Sequence, residues 1–221
     1  MKRILSMSTG TALALLLVAS PSLATTPALE VTMTPGIQLA GETGGVVDER
    51  AELRVTVLNA MNHQPLPGSV VQIRFANCVG NDLHLSTTQP SHPGSLFDCA
   101  SFTVSAITFA DGIARFRILG SASSGPGNPP GLTHGCAEVR VDGIIVAPAV
   151  RIGAYDLDGK HGVTSADQAL LLATMFAGPP GYRTRADLNG DGVCNSADLG
   201  KLLSVQFGGG SLTSSPAPDC F

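Results

Sequence analysis

Apolar and polar residues alternate along much of the chain between residues 29 and 152, which predicts strands. In Ala51 to Leu58 the alternation puts Leu53, Val55 and Val57 on one face. Val70 to Phe75 follows a Pro65-Leu66-Pro67-Gly68 turn. Phe102 to Thr108 and Ile113 to Leu119 flank Phe109-Ala110-Asp111-Gly112, which reads as a hairpin turn. Ala137 to Val141 and Ile144 to Val146 flank Asp142-Gly143, a second turn signal. Glu30 to Thr34 is expected at an edge. About seven short strands with frequent turns predict an antiparallel sandwich. Asn81 to Asp98 and Ser121 to His134 read as long Gly/Pro/Ser-rich loops. Further on, the spacing becomes helical, with Leu171, Leu172 and Phe176 in one segment and Leu202, Leu203 and Phe207 in another.

The first 24 residues read as a secretory signal peptide. Lys2 and Arg3 supply the positive start, Ala12 to Ala19 the apolar run, and Ser22-Leu23-Ala24 the small residues of a cleavage site. The apolar run falls far short of the roughly 20 residues that span a bilayer. The expected organisation is a signal peptide over 1–24, a β domain over 25–152, a helical domain over 153–210 and a tail over 211–221. Only Gly153-Ala154-Tyr155 separates the last strand from the first acidic loop, so the two domains are expected to abut.

Composition narrows the function classes. Gly and Pro, 26 and 15 of 221 residues, favour strands and turns over long helices. The formal net charge is −4, and it becomes −6 once Lys2 and Arg3 leave with the signal peptide. A mildly acidic chain without a Lys/Arg cluster is a poor nucleic-acid binder. The absence of Trp argues against a sugar-stacking platform. Five Cys in an exported chain predict disulfides and one Cys left over. Cys78 with Cys99 or Cys136 would staple the β domain, and Cys194 with Cys220 would tie the tail to the helical domain.

The candidate chemistry lies in a repeat of period 31. Asp156 to Asp167 (DLDGKHGVTSAD) aligns with Asp187 to Asp198 (DLNGDGVCNSAD), and the helical segments after them align too. Calcium takes six to eight oxygens at about 2.3–2.6 Å. In the second loop Asp187, Asn189 and Asp191 stand at positions 1, 3 and 5. Gly192 makes the turn, Val193 offers a carbonyl, Asn195 stands at position 9 and Asp198 closes the shell. In the first loop Asp156, Asp158 and Asp167 keep positions 1, 3 and 12, with Gly162 and Thr164 between them. Lys160 there replaces the position-5 carboxylate, and it must swing to solvent if the loop is to hold a cation. His161 has no second soft ligand near it in sequence. Val163 and Cys194, at position 8, are expected to be small apolar contacts between the loops.

Two resemblances follow. Ala51-Glu52-Leu53-Arg54-Val55-Thr56-Val57, Pro65-Leu66-Pro67-Gly68-Ser69-Val70-Val71 and Ala110-Asp111-Gly112-Ile113-Ala114-Arg115-Phe116 resemble bacterial Ig-like domains of the invasin type. Residues 187–199 resemble the dockerin repeat D-x-N-x-D-G-x-x-N-x-x-D-L at every fixed position. The dockerin resemblance implies a calcium-folded module of two loops and three helices that docks onto a cohesin partner and holds an enzyme on a scaffold. It also implies that Ser165-Ala166 and Ser196-Ala197, at positions 10 and 11, carry partner recognition. Ser and Ala equally suit a first helical turn.

The chain carries no G-x-S-x-G, H-E-x-x-H or phosphate-loop pattern, and its His residues are scattered. The expected fold is an all-β Ig-like sandwich followed by a small all-α, EF-hand-like domain. The expected function is non-catalytic: an exported protein that binds one or two calcium ions and attaches to a protein partner. The alternative is a structural or adhesive surface protein in which calcium only stabilises the fold.

Overall fold

The computed structural model describes residues 28–43, 46–78, 83–87, 89, 95–122, 135–160, 162–176, 185–207 and 220. The expected signal peptide, most of the 211–221 tail, the 123–134 stretch and His161 lie outside them.

Residues 29–154 form β-sheets, and a C-terminal region with two helices follows. The strands are β1 (Leu29–Met33), β2 (Ile37–Ala40), β3 (Glu42–Thr43), β4 (Val46–Val47), β5 (Leu53–Asn59), β6 (Val70–Arg74) and β7 (Leu83–Leu85). They continue with β8 (Leu96–Asp98), β9 (Thr103–Ile107), β10 (Ile113–Phe116), β11 (Ile118–Ala122), β12 (Ala137–Val141), β13 (Ile144–Val150) and β14 (Ile152–Ala154). The helices are α1 (Ser165–Phe176) and α2 (Ser196–Phe207). The sheet orders are β1-β5-β10, β14-β2-β11-β7 and β13-β12-β6-β9-β8, with β3-β4 as a small pair. Pairing is antiparallel except where β2 meets β11 and β14.

Period-2 alternation builds the core. Leu53, Val55 and Val57 of β5 are buried, as are Val71 and Ile73 of β6 and Val139 and Val141 of β12. These side chains join those of β2, β7 and β14 in one apolar cluster. Glu30 to Thr34 proves to be an edge, because β1 pairs with β5 alone. Asp142-Gly143 closes a true β12–β13 hairpin, and both residues sit at positive φ, 51° and 82°.

Three expectations are corrected. Phe109 to Gly112 is not a hairpin. Its flanking strands belong to different sheets, β9 pairing with β6 and β8, and β10 with β5. Val57 N–H donates to Gly112 O at 2.8 Å, so the turn hands the chain to β5 instead of folding it back on β9. The stretch Ile113 to Leu119 is two strands, because Ile118 leaves β5 and pairs with Leu39. The loop expected over Asn81 to Asp98 contains β7 and β8.

The disulfides are Cys78–Cys136 and Cys99–Cys220, with Cα separations of 5.2 and 5.6 Å. The first is one of the two pairings expected for Cys78. The second overturns Cys194–Cys220. Cys220 donates its N–H to Leu85 O at 2.9 Å, so the chain's end returns to β7. The Cys194 thiol sits instead over the Leu171 carbonyl in the helical region, while Cys220 is bonded to Cys99. Disulfides form in oxidising compartments. Among the described residues no helix is long and apolar enough to cross a membrane.

The two regions share a second core. Ala40, Val47, Ala51 and Leu119 of the sheet region pack with Tyr155, Leu157, Leu171, Leu188 and Leu202 of the helical region. Strand β14 runs through Ala154, so the chain leaves the sheets directly into the first loop. Arg50 reaches across to the carbonyl of Ser204 in α2.

Candidate metal centre

The first loop is anchored before it begins. Ala122 N–H, at the end of β11, donates to Asp156 O at 2.9 Å. Nine residues later α1 starts, with Asp167 in its first turn. Asp156 and Asp167 are buried, and the Asp158 side chain is 7% exposed. Asp156, Asp158 and Asp167 each bring one carboxylate oxygen to within 4.8 Å of the others. Among the described residues, this is a group whose geometry could hold a metal ion.

Backbone N–H groups hold the cluster. Asp167 Oδ1 accepts from Leu157 at 2.7 Å and Asp158 at 3.1 Å, and its Oδ2 accepts from Thr164 N–H at 2.7 Å. The Thr164 hydroxyl donates to the same oxygen at 3.0 Å. Asp156 accepts from Gly159 at 2.7 Å and Gly162 at 3.1 Å. Lys160 swings out as the loop requires. Its side chain is 79% exposed, and its ammonium lies 3.4 Å from Asp158 Oδ2.

The second loop repeats this pattern almost bond for bond. Asp198 accepts from Asn189 N–H at 3.0 Å and Asn195 N–H at 2.9 Å, matching Asp158 and Thr164 on Asp167. Asp187 accepts from Gly190 and Gly192, both at 2.8 Å. Asn195 Oδ1 caps Ala197 N–H at 2.7 Å, as Thr164 caps Ala166 at 3.1 Å. The one-residue shift of the glycine, from Gly192 to Gly162, therefore keeps a donor on the second oxygen of the first Asp.

The loops differ in how tightly they gather. Asp191 is exposed and turns to Val193 N–H and the Asn189 amide, both at 2.8 Å. Asp187, Asp191 and Asp198 do not converge as the first loop's carboxylates do. The sequence ranks the second loop higher, whereas the geometry draws the first loop closer. Each loop carries three carboxylates, but the first sets them at positions 1, 3 and 12 and the second at positions 1, 5 and 12, where Asp191 turns outward.

Electrostatics marks the buried acids. Burial pushes the Asp167 carboxyl above its ordinary range, against the pull of the Thr164, Asp158 and Leu157 N–H groups, and the Asp156 charge adds to the rise. Burial also raises Asp187, opposed by Gly192 and Gly190, with Asp198 and Asp191 adding like charge. Asp191 is held low, first by the Val193 N–H and then by the Asn189 side chain. Buried carboxylates in a set of oxygen donors fit a hard cation, which restores the charge balance that burial removes.

Val163 is buried and Cys194 is half-buried, both against the second core, in keeping with their apolar position. Ser165, Ala166, Ser196 and Ala197 lie exposed at the helix starts. The repeat aligns Phe176 with Phe207, at the ends of the two helices. The structure leaves them 81% and 75% exposed, 31 residues apart like everything else in the repeat. Sequence reading also passed over Arg151 and Arg185. Arg185 is 1% exposed, and Arg151 Nη1 lies 3.6 Å from Asp187 Oδ2. No local pattern announces either residue. Comparison of the chain with models of known families, with curated proteins and with solved structures finds no match.

Proposed function

We propose that residues 153–210 form a calcium-folded attachment module of the dockerin kind, carried on an Ig-like sandwich in an exported, non-catalytic protein. The convergence of Asp156, Asp158 and Asp167 carries this reading. The matching hydrogen bonds of the second loop support it. In the first loop the three carboxylates would hold the ion, with Thr164 and the backbone of Lys160 and Gly162 beside them. In the second, Asp187, Asn189, Asp191, Asn195, Asp198 and the Val193 carbonyl would do so. Bound calcium would neutralise the carboxylates, so its binding free energy becomes folding free energy.

The sheet orders support the sandwich. The chain passes from β5 to β6 and from β9 to β10 by changing sheets, as Ig-like folds do. The attachment face would run from Ser165-Ala166 and Ser196-Ala197 toward the exposed Phe176 and Phe207. Its partner would be a cohesin-like protein. The shared second core favours another reading, in which calcium only caps the sheet region of a structural or adhesive surface protein.

Calcium calorimetry on the full chain tests the first step, with Asp167→Asn and Asp187→Asn as controls. Two sites are expected, each control removing one. A chain that binds no calcium sinks both readings. Retention of the chain by an immobilised cohesin domain, reversed by EDTA, supports attachment. Calcium binding without retention leaves the cap.

A further inference from the structure

The second loop does not stand free of the sheet region. A Cβ on Gly190 would lie 2.9 Å from Gly36 N and 3.0 Å from the Pro35 carbonyl carbon. A Cβ on Gly153 would lie 3.0 Å from the Asp187 carbonyl oxygen. Backbone therefore meets backbone along a seam between the loop and the sheets. Arg151, between β13 and β14, projects its side chain into this seam. Its Nη1 faces Asp187 Oδ2 at 3.6 Å, the oxygen that also accepts from Gly192 N–H at 2.8 Å. The guanidinium lies directly on Gly192, where any side chain would collide with it. Gly192 is required by its φ of 94°, and a side chain there would also force the arginine above it to shift. The Arg151 backbone is fixed, since its carbonyl accepts from Ile37 N–H at 2.9 Å. The side chain is 39% exposed and has solvent to move into.

We propose that Arg151 is a built-in competitor for the second loop: its guanidinium neutralises Asp187 in the metal-free loop and gives way when a divalent cation binds. This inference rests on the calcium reading of that loop. An incoming cation has to displace this positive charge from the first ligand, so Arg151 holds the loop's affinity below what its ligand set would give. The cation beside the first loop's carboxylates comes from the loop itself. Lys160 lies 3.4 Å from Asp158 Oδ2 on a side chain that is 79% exposed, against 39% for Arg151.

Calcium titration of the full chain, comparing wild type, Arg151→Gln and Arg151→Lys, tests the inference. At the site that Asp187→Asn abolishes, Arg151→Gln is expected to tighten binding about three- to tenfold, the scale of one partly screened charge at short range. Arg151→Lys should stay near wild type, and the site that Asp167→Asn abolishes should not change. Thermal melts give a second readout. Arg151→Gln should melt lower than wild type without calcium and level with it at saturating calcium. A merely structural arginine would lower both melts. Unchanged or weaker binding at the Asp187-dependent site overturns the proposal alone. Absence of any Asp187-dependent site overturns it together with the calcium reading of the second loop.

Discussion

Arg185 Nη1 donates to the Ile152 carbonyl at 2.9 Å from a side chain that is 1% exposed. The same guanidinium lies 3.9 Å from Cys136 Sγ, within the Cys78–Cys136 disulfide. One buried cation thus joins the segment before the second loop to β14 and to the staple of the sheets. Arg185→Ala would leave the Ile152 carbonyl short of a donor and open a cavity. We expect a loss of about 2–4 kcal/mol, read by denaturant unfolding of the metal-free chain. A change under about 0.5 kcal/mol, ordinary for surface sites, would show that the seam does not depend on it.

Tyr155 supplies a pH signature. Burial, with the Asp48 charge adding to it, pushes its hydroxyl from 10.0 up to about 12. The folded value exceeds the unfolded one. The contribution is therefore present in full below pH 10 and is lost as pH rises through about 12. Stability should fall between those values by about 1.4 kcal/mol per pH unit, the worth of one proton. Unfolding at stepped alkaline pH, with absorbance of the tyrosinate, would follow it. Tyr155→Phe should remove that part of the slope, and an unchanged slope would assign it to other groups.

Lys160 is expected to limit cation binding at the first loop. Its ammonium stands outside the cluster, so position 5 contributes no carboxylate. Lys160→Asp should tighten calcium binding at the Asp167-dependent site by about tenfold, through one more anionic ligand. Without calcium, the fourth carboxylate adds repulsion, and the melting temperature should drop slightly. Calorimetry and melts on the same samples check both, and weaker binding would show that position 5 does not face the ion.

Much of the local structure was legible because it obeys local rules. The alternation of Leu53, Val55 and Val57 found its buried face. Asp142-Gly143 made its turn because both residues tolerate positive φ. The loops were legible because position 1 and position 12 carboxylates recur at fixed spacing. The destination of the Phe109 to Gly112 turn was not. The same four residues suit a hairpin or a sheet change, and only the bonding of β10 to β5 decides.

Local sequence signals alone placed β1, β5, β6, β9, β12 and β13, the two acidic loops and the two helices. Those features follow from periodicity, φ preference and spacing over a dozen residues. Long-range packing fixed which cysteines meet, that Cys220 returns to β7, that Arg151 faces Asp187 and that Arg185 reaches Ile152 and Cys136. It also decided that the first loop gathers its carboxylates more closely than the second. These depend on contacts between residues far apart in the chain, such as Cys99 and Cys220, 121 positions apart. No local propensity encodes them. They are fixed only when the sheets and helices bury a common core.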